Sequence, residues 1–170
     1  MNNQFSQKVS EILIYSKQEA IRLNSDHVGP EHLLLGLLKE GSGRAIEVLQ
    51  KKLYVDLGTI KNEIEARIEK QSNDYTYSHA RITNENEVML DETSARILRL
   101  GILEARLLKK EVVSDEHLLL AILKQHDNMA AQVLERNDVT YSLVFEELSL
   151  KQADVNAGMN GYDEDEEDAP

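Results

Sequence analysis

Slid against itself by 85 residues, the chain repeats. VGPEHLLLGLLKE from Val28 aligns with VSDEHLLLAILKQ from Val113, and the match holds from Ile12 to Gln50 with 16 identities in 39 positions. Solenoid repeats run ~20–50 residues, so a period this long describes two domain-sized copies instead of a stacked array. Past Gln50 a one-residue gap restores the pattern, placing Val55, Ile60 and Ile64 opposite Val139, Val144 and Leu148. Whatever one copy folds into, the other must fold into as well.

Each copy reads as four helices. In the first, Val9, Ile12, Leu13, Ala20 and Leu23 form an apolar stripe near the 3.6-residue period, predicting a helix over about residues 5–23. A second helix opens at Pro30, whose fixed φ and missing N–H suit the first helical position, and closes near Gly41. Gly41-Ser42-Gly43 makes the turn into a short third helix, about 44–53. The fourth covers about 56–70, with Asp56 placed to cap its free N–H groups. The second copy repeats this order over about 91–150. In LLLGLLK and LLLAILK the apolar residues cover nearly every face, so these two helices belong in the interior, with Gly36 and Ala121 admitting close neighbours. The expectation is an all-α fold of eight helices, two tandem four-helix repeats about an approximate two-fold axis. Its parts are repeat 1 (1–70), a linker (71–87) rich in Asn, Ser, Thr and Tyr, repeat 2 (88–150) and a flexible acidic tail (151–170).

Composition narrows the function classes. Aromatic residues are 5% of the chain and Trp is absent, so Leu, Ile, Val and Ala must build the core, as helices allow. The net charge of −12 argues against a nucleic-acid backbone or an anionic membrane as partner, and the acidic run 163–168 carries half of that charge. With no Cys, thiolate nucleophiles and Cys-based zinc sites are excluded. The start, Met-Asn-Asn-Gln-Phe-Ser, has neither the basic residues nor the apolar run of a secretory signal, and the reading is a cytoplasmic protein.

The recurring polar motif is Glu-His at the start of each central helix: Glu31-His32 and Glu116-His117. The glutamates have two readings. They complement the positive ends of two buried helices, and a second reading comes with the family resemblance below. The histidines lack the Glu-x-x-His or His-Glu-x-x-His spacing that puts metal ligands one turn apart, and are read as satisfying their ring nitrogens within their own repeats. His27, His79 and His126 fall in predicted turns or linker and are read as solvated. Ser114 precedes the second central helix and is read as its cap instead of as a nucleophile. Gly41-Ser42-Gly43-Arg44 has the wrong spacing for a phosphate loop, which needs Gly-x-x-x-x-Gly-Lys-Ser/Thr.

The Glu-His helix starts, the small-residue turn, the short Ala-x-x-Val-Leu helix after it, and the duplication of the whole resemble the N-terminal domain of Clp ATPases, in its ClpC-like, acidic form. The resemblance covers about residues 5–150. It implies a non-catalytic docking domain that recruits adaptor proteins and unfolded or tagged substrate proteins to a ring of ATPase modules and a ClpP-like peptidase. It implies no cofactor in this chain, since ATP and Mg belong to downstream modules. The residues it points to are Glu31 and Glu116, recognising arginine or phosphoarginine on marked proteins, and Phe5 and Ser6 near the recognition surface. Phe5 can equally pack into the first bundle. Where family members often carry Thr before the Glu, this chain has Pro30, which lacks an N–H, and Asp115, which adds a negative charge. Two alternatives stay open beside the docking domain: a free-standing accessory protein of a Clp protease, and a helical-bundle metal-binding protein or enzyme using the twin Glu-His sites.

Overall fold

A computed structural model describes residues 4–73 and 84–160. The first repeat contains α1 (Gln7–Arg22), a two-residue strand β1 (His27–Val28), α2 (Pro30–Glu40), α3 (Arg44–Glu47) running into a π-helical turn (Val48–Lys52), and α4 (Leu57–Asn73). After a 3-10 turn at Glu85–Glu87 the second contains β2 (Met89–Leu90), α5 (Glu92–Leu107), α6 (Asp115–Lys124), α7 (Met129–Arg136) and α8 (Tyr141–Asn160).

The helices start and stop where short polar side chains and left-handed residues allow. Ser6 caps α1 by accepting from the Val9 N–H at 3.2 Å, and Asp91, its counterpart 85 residues on, caps α5 from the Ser94 N–H at 2.7 Å. Asp56 accepts from the Gly58 N–H at 3.0 Å at the head of α4. Among the described residues, the non-glycine residues with positive φ fall into two equivalent pairs that end matching helices: Asn24 (62°) with Lys109 (61°), and Tyr54 (56°) with Asp138 (65°). The duplication is therefore visible in the backbone at positions where side-chain identity has been lost.

The central helices α2 and α6 are buried as their apolar composition requires: Leu33, Leu34, Leu118, Leu119 and Leu120 are fully shielded from solvent. Each such side chain contributes about 1.5–3 kcal/mol by leaving water. Gly36 permits the tightest approach, for a Cβ there would stand 2.6 Å from the Ile12 carbonyl oxygen of α1. That carbonyl also accepts from the Ser16 hydroxyl at 2.7 Å.

The two repeats do not close as separate bundles. α3 packs on α6 and its π-helical turn on α8, while α7 packs on α2 and α4 besides α6 of its own repeat, so each repeat's third helical segment also covers the other repeat. The N-terminal segments are exchanged in the same way. β2 pairs in parallel with β1, Leu90 opposite Val28, and Phe5 forms the equivalent parallel bridge with Val113. The Asp91 N–H donates to the Val28 carbonyl at 2.9 Å, and the Ser6 N–H donates to the Val113 carbonyl at 2.9 Å. One apolar cluster runs through both halves.

Several expectations need correction. Phe5 does not begin the first helix; it is half-buried in the bridge to Val113, because Ser6 takes the capping position and leaves the preceding backbone extended. The fold is helical, but these short strand pairings join its halves, where none was expected. The third helix is not a plain α-helix, since Val48–Lys52 carries an extra residue as a π turn. α4 reaches Asn73 and α8 reaches Asn160, beyond the ends at 70 and 150 that apolar periodicity predicts. Helix propagation needs only local hydrogen bonds and tolerable residues, so it outlasts the apolar stripe. The first ten residues of the expected tail, 151–160, thus continue α8, and 161–170 lie outside the described residues, as do 74–83 of the expected linker.

Candidate docking sites at the starts of the central helices

Each central helix starts at a junction where both repeats contribute. At α2, the Gly29 N–H donates to Nδ1 of His32 at 3.0 Å, and at α6 the Ser114 N–H donates to Nδ1 of His117 at 2.9 Å. A nitrogen that accepts an N–H carries no proton, so each ring is neutral with its hydrogen on Nε2. Burial lowers both histidines from the ordinary 6.5 to about 4. Both Nε2 atoms are buried without a hydrogen-bond partner, which corrects the reading that each ring is fully satisfied in its own repeat. The N3 histidine reaches back to the cap N–H as the Glu of a capping box does, and does so in both copies.

Around α2, the Glu31 side chain folds back over Gly29, where a Cβ would come within 2.9 Å of its carboxylate. Burial pushes the Glu31 carboxyl up, its own backbone N–H holds it down, and the Asp91 charge from the other repeat pushes it up further. Among the described residues no cation pairs with Glu31 or Asp91.

Around α6 the same places are filled differently. The Ser6 hydroxyl donates to Ser114 Oγ at 3.2 Å, and Ser114 donates to Asp115 Oδ1 at 3.0 Å. Asp115 Oδ2 then accepts from the Ala45 N–H at 2.8 Å, back in repeat 1. Ser114 holds the N-cap position of α6 as expected, but its hydroxyl links Ser6 to Asp115, while the His117 N–H goes to the Ser114 carbonyl at 3.1 Å. Asp115 is buried, and burial followed by the Glu116 charge pushes its carboxyl up against the pull of the Ala45 N–H. Glu116 is also buried, with Arg44 Nη1 at 3.8 Å from Oε2 and His117 Nε2 at 3.9 Å. Because the ring is neutral, Arg44 is the ionic partner.

The expected residues therefore divide between two sites. Glu116 shares one with Ser6, which lies next to Phe5, and Glu31 shares the other with Asp91. Sequence reading missed Asp91, Arg44 and the role of Asp115. The available signal was Gly43: its equivalent, Asn128, caps its own helix by accepting from the Ala131 N–H at 2.8 Å, and a glycine cannot. Asp115 supplies the missing cap from the other repeat. Among the described residues no group of three or more His, Asp or Glu is placed to hold a metal ion, and no helix is long and apolar enough to cross a membrane. His27 and His126 are exposed, the former bonded to Asp26 at 2.8 Å, and His79 lies outside the described residues.

Fold and sites together define a helical module made by duplication and reciprocal exchange, with one polar helix start per half built by both. The family model described as the Clp repeat (R) N-terminal domain matches residues 4–137 and 89–159, and the chain belongs to that family. A probable ATP-dependent Clp protease ATP-binding subunit from Chlamydia pneumoniae is 36% identical over 135 residues, covering 79% of this chain and 15% of that protein. The chloroplastic chaperone protein ClpC1 of Arabidopsis thaliana is 33% identical over 79% of this chain and 14% of its own length. The chain spans less than a fifth of these relatives. The N-terminal domain of the chaperone ClpD from Arabidopsis thaliana superposes with a TM-score of 0.63 at 20% identity, covering 89% of this chain and 95% of that one. For the N-terminal domain of the ClpV1 ATPase from E. coli the values are 0.65, 18%, 88% and 85%. These likenesses establish the fold.

Proposed function

We propose that the chain is the non-catalytic docking module of a cytoplasmic ATP-dependent Clp unfoldase, receiving adaptor proteins and substrate proteins for a ring of ATPase modules and its peptidase. The observation that carries the reading is the acidity at the start of α2, which no cation offsets among the described residues. The Asp91 charge of the second repeat acts on Glu31 of the first, and a ligand's guanidinium would neutralise this acidity through paired hydrogen bonds. The family membership supports the same reading, since the matched relatives are named as subunits and chaperones of Clp systems.

The chemistry favours arginine itself over phosphoarginine. Helix starts hold phosphate through free N–H groups. At α2, Pro30 has none, the Gly29 N–H is taken by His32 and the His32 N–H by the Gly29 carbonyl. At α6, Asp115 and Glu116 oppose an anion. Titration of labelled arginine peptide, phosphoarginine peptide and an unfolded model protein into wild type and Glu31→Ala/Glu116→Ala tests this. The expected result is arginine-peptide binding weakened about tenfold or more in the double variant. Equal binding by the two proteins would remove the carboxylates from recognition.

A further inference from the structure

α5 presents an apolar stripe to solvent that its counterpart in the first repeat does not have. Leu103 is 51% exposed, Leu107 61% and Val112, just beyond the helix, 44%. Leu100 stands beside them at helical spacing and is half-buried. The equivalent positions on and after α1 are Tyr15, Gln18, Arg22 and His27. There Arg22 holds the buried Glu19 through two bonds of 2.8 and 3.1 Å and reaches Glu65 of α4. In the second repeat, Glu104, at the place of Glu19, takes the Tyr141 hydroxyl at 2.6 Å instead. Leu107 at the place of Arg22 is thereby released from any duty inside the fold, and it faces water.

The stripe is edged with cations. Arg96, Arg99, Arg106, Lys109 and Lys110 are exposed on or just after α5; only Arg96 has an ion-pair partner among the described residues, Glu92 at 3.6 Å. On a chain of net charge −12 this is a local reversal of sign. Glu111 is exposed beside Val112 and Glu92 pairs with Arg96, so the five cations outnumber the acids around the stripe. Exposed apolar residues with a predominantly positive rim mark an interaction surface, and the sign of the rim selects the partner.

We propose that the outer face of α5 docks an acidic amphipathic segment of a partner protein, its apolar side on Leu103, Leu107 and Val112 and its carboxylates on Arg99 and Arg106. This surface is separate from the two Glu-His helix starts and does not depend on arginine recognition there. The probe is a short synthetic helix with leucines three and four residues apart and Glu or Asp between them, titrated by fluorescence anisotropy into the full chain. A control peptide carries Lys at each acidic position. Leu103→Gln/Leu107→Arg installs the residues that α1 carries at these positions, and Arg99→Glu/Arg106→Glu reverses the rim; melting curves check that both variants fold.

The acidic peptide is expected to bind wild type, with affinity falling as salt rises and falling about tenfold or more in each double variant. Glu31→Ala/Glu116→Ala is expected to leave it unchanged, so loss of arginine binding with this binding intact would separate the two surfaces. Equal binding of the lysine peptide, or unchanged affinity in both α5 variants, would overturn the proposal. So would a wild-type dimer that Leu103→Gln/Leu107→Arg makes monomeric, which would assign the face to a second copy. Markedly tighter binding by a chain ending at Asn160 would overturn it in favour of the chain's own acidic terminus.

Discussion

Gly43 and Asp115 are far apart in sequence and form one cap. Gly43 has φ of 104°, a left-handed conformation that side chains resist, and a Cβ there would stand 2.8 Å from the Asp115 carboxyl carbon. Asp115→Ala is expected to lose about 1–2 kcal/mol of folding stability in urea denaturation, the usual cost of a lost cap. Gly43→Ala should cost more, because it adds backbone strain and displaces the same carboxylate. His32 and His117 govern the acid limb of stability. Each is lowered to about 4 in the fold, so the unfolded chain takes up protons that the folded one refuses as pH falls below the ordinary 6.5. The stabilisation is complete above about 6.5 and declines towards 4, by up to about 3 kcal/mol per ring. Glu31 and Asp115, whose carboxyls burial pushes up, titrate with the opposite sign. The readout is therefore the difference: His32→Gln/His117→Gln should flatten the fall in urea midpoint between pH 7 and 5, and an unchanged slope would contradict the assignment.

At the scale of elements, the π turn in the first repeat is the physical form of the one-residue alignment gap. The Val55 N–H donates to the Leu49 carbonyl at 2.8 Å across six residues, and the equivalent Val139 N–H donates to the Leu134 carbonyl at 2.9 Å across five. Between them the Leu53 N–H reaches five residues back to Val48 at 2.9 Å, a widened loop that absorbs an insertion without rotating the buried Val48 and Leu49 out of the core. Deleting the exposed Lys51 is expected to convert the turn to α-helix and change stability by no more than about 1 kcal/mol. Deleting the exposed Gln132 from α7, which has no spare residue, should turn Ala130 or Val133 away from the core and cost several times as much, on the order of 2–5 kcal/mol. Circular-dichroism melts of the two deletions measure the contrast. The gap could be read from the residues alone; its helical form could not, because an inserted residue can also be looped out.

At the scale of the molecule, exchange makes two repeats one folding unit. With α3 lodged on α6, α7 on α2 and α4, and the first strand segments crossed over, the two halves share one apolar cluster. Unfolding is expected to be a single transition, with helix signal and tertiary probes coincident. Residues 1–73 alone are expected to be unfolded or to associate, as sedimentation and circular dichroism would show. Two separable transitions, or a stable monomeric half, would show that the halves are independent bundles.

The order of the helices, the burial of LLLGLLK and LLLAILK, and the pairing of Glu31 with Glu116 as equivalents were legible in the residues, because hydrophobic periodicity and internal repetition are local properties of a chain. The identity of each site's other members was not. Ser6 reaches Ser114, the Asp91 charge acts on Glu31 and Asp115 caps α3 only because the halves interlock. A sequence that repeats states what each half resembles, and says nothing of which half a segment will pack against. Packing decided that, by placing each repeat's third helical segment where the other repeat's buried helix needed covering.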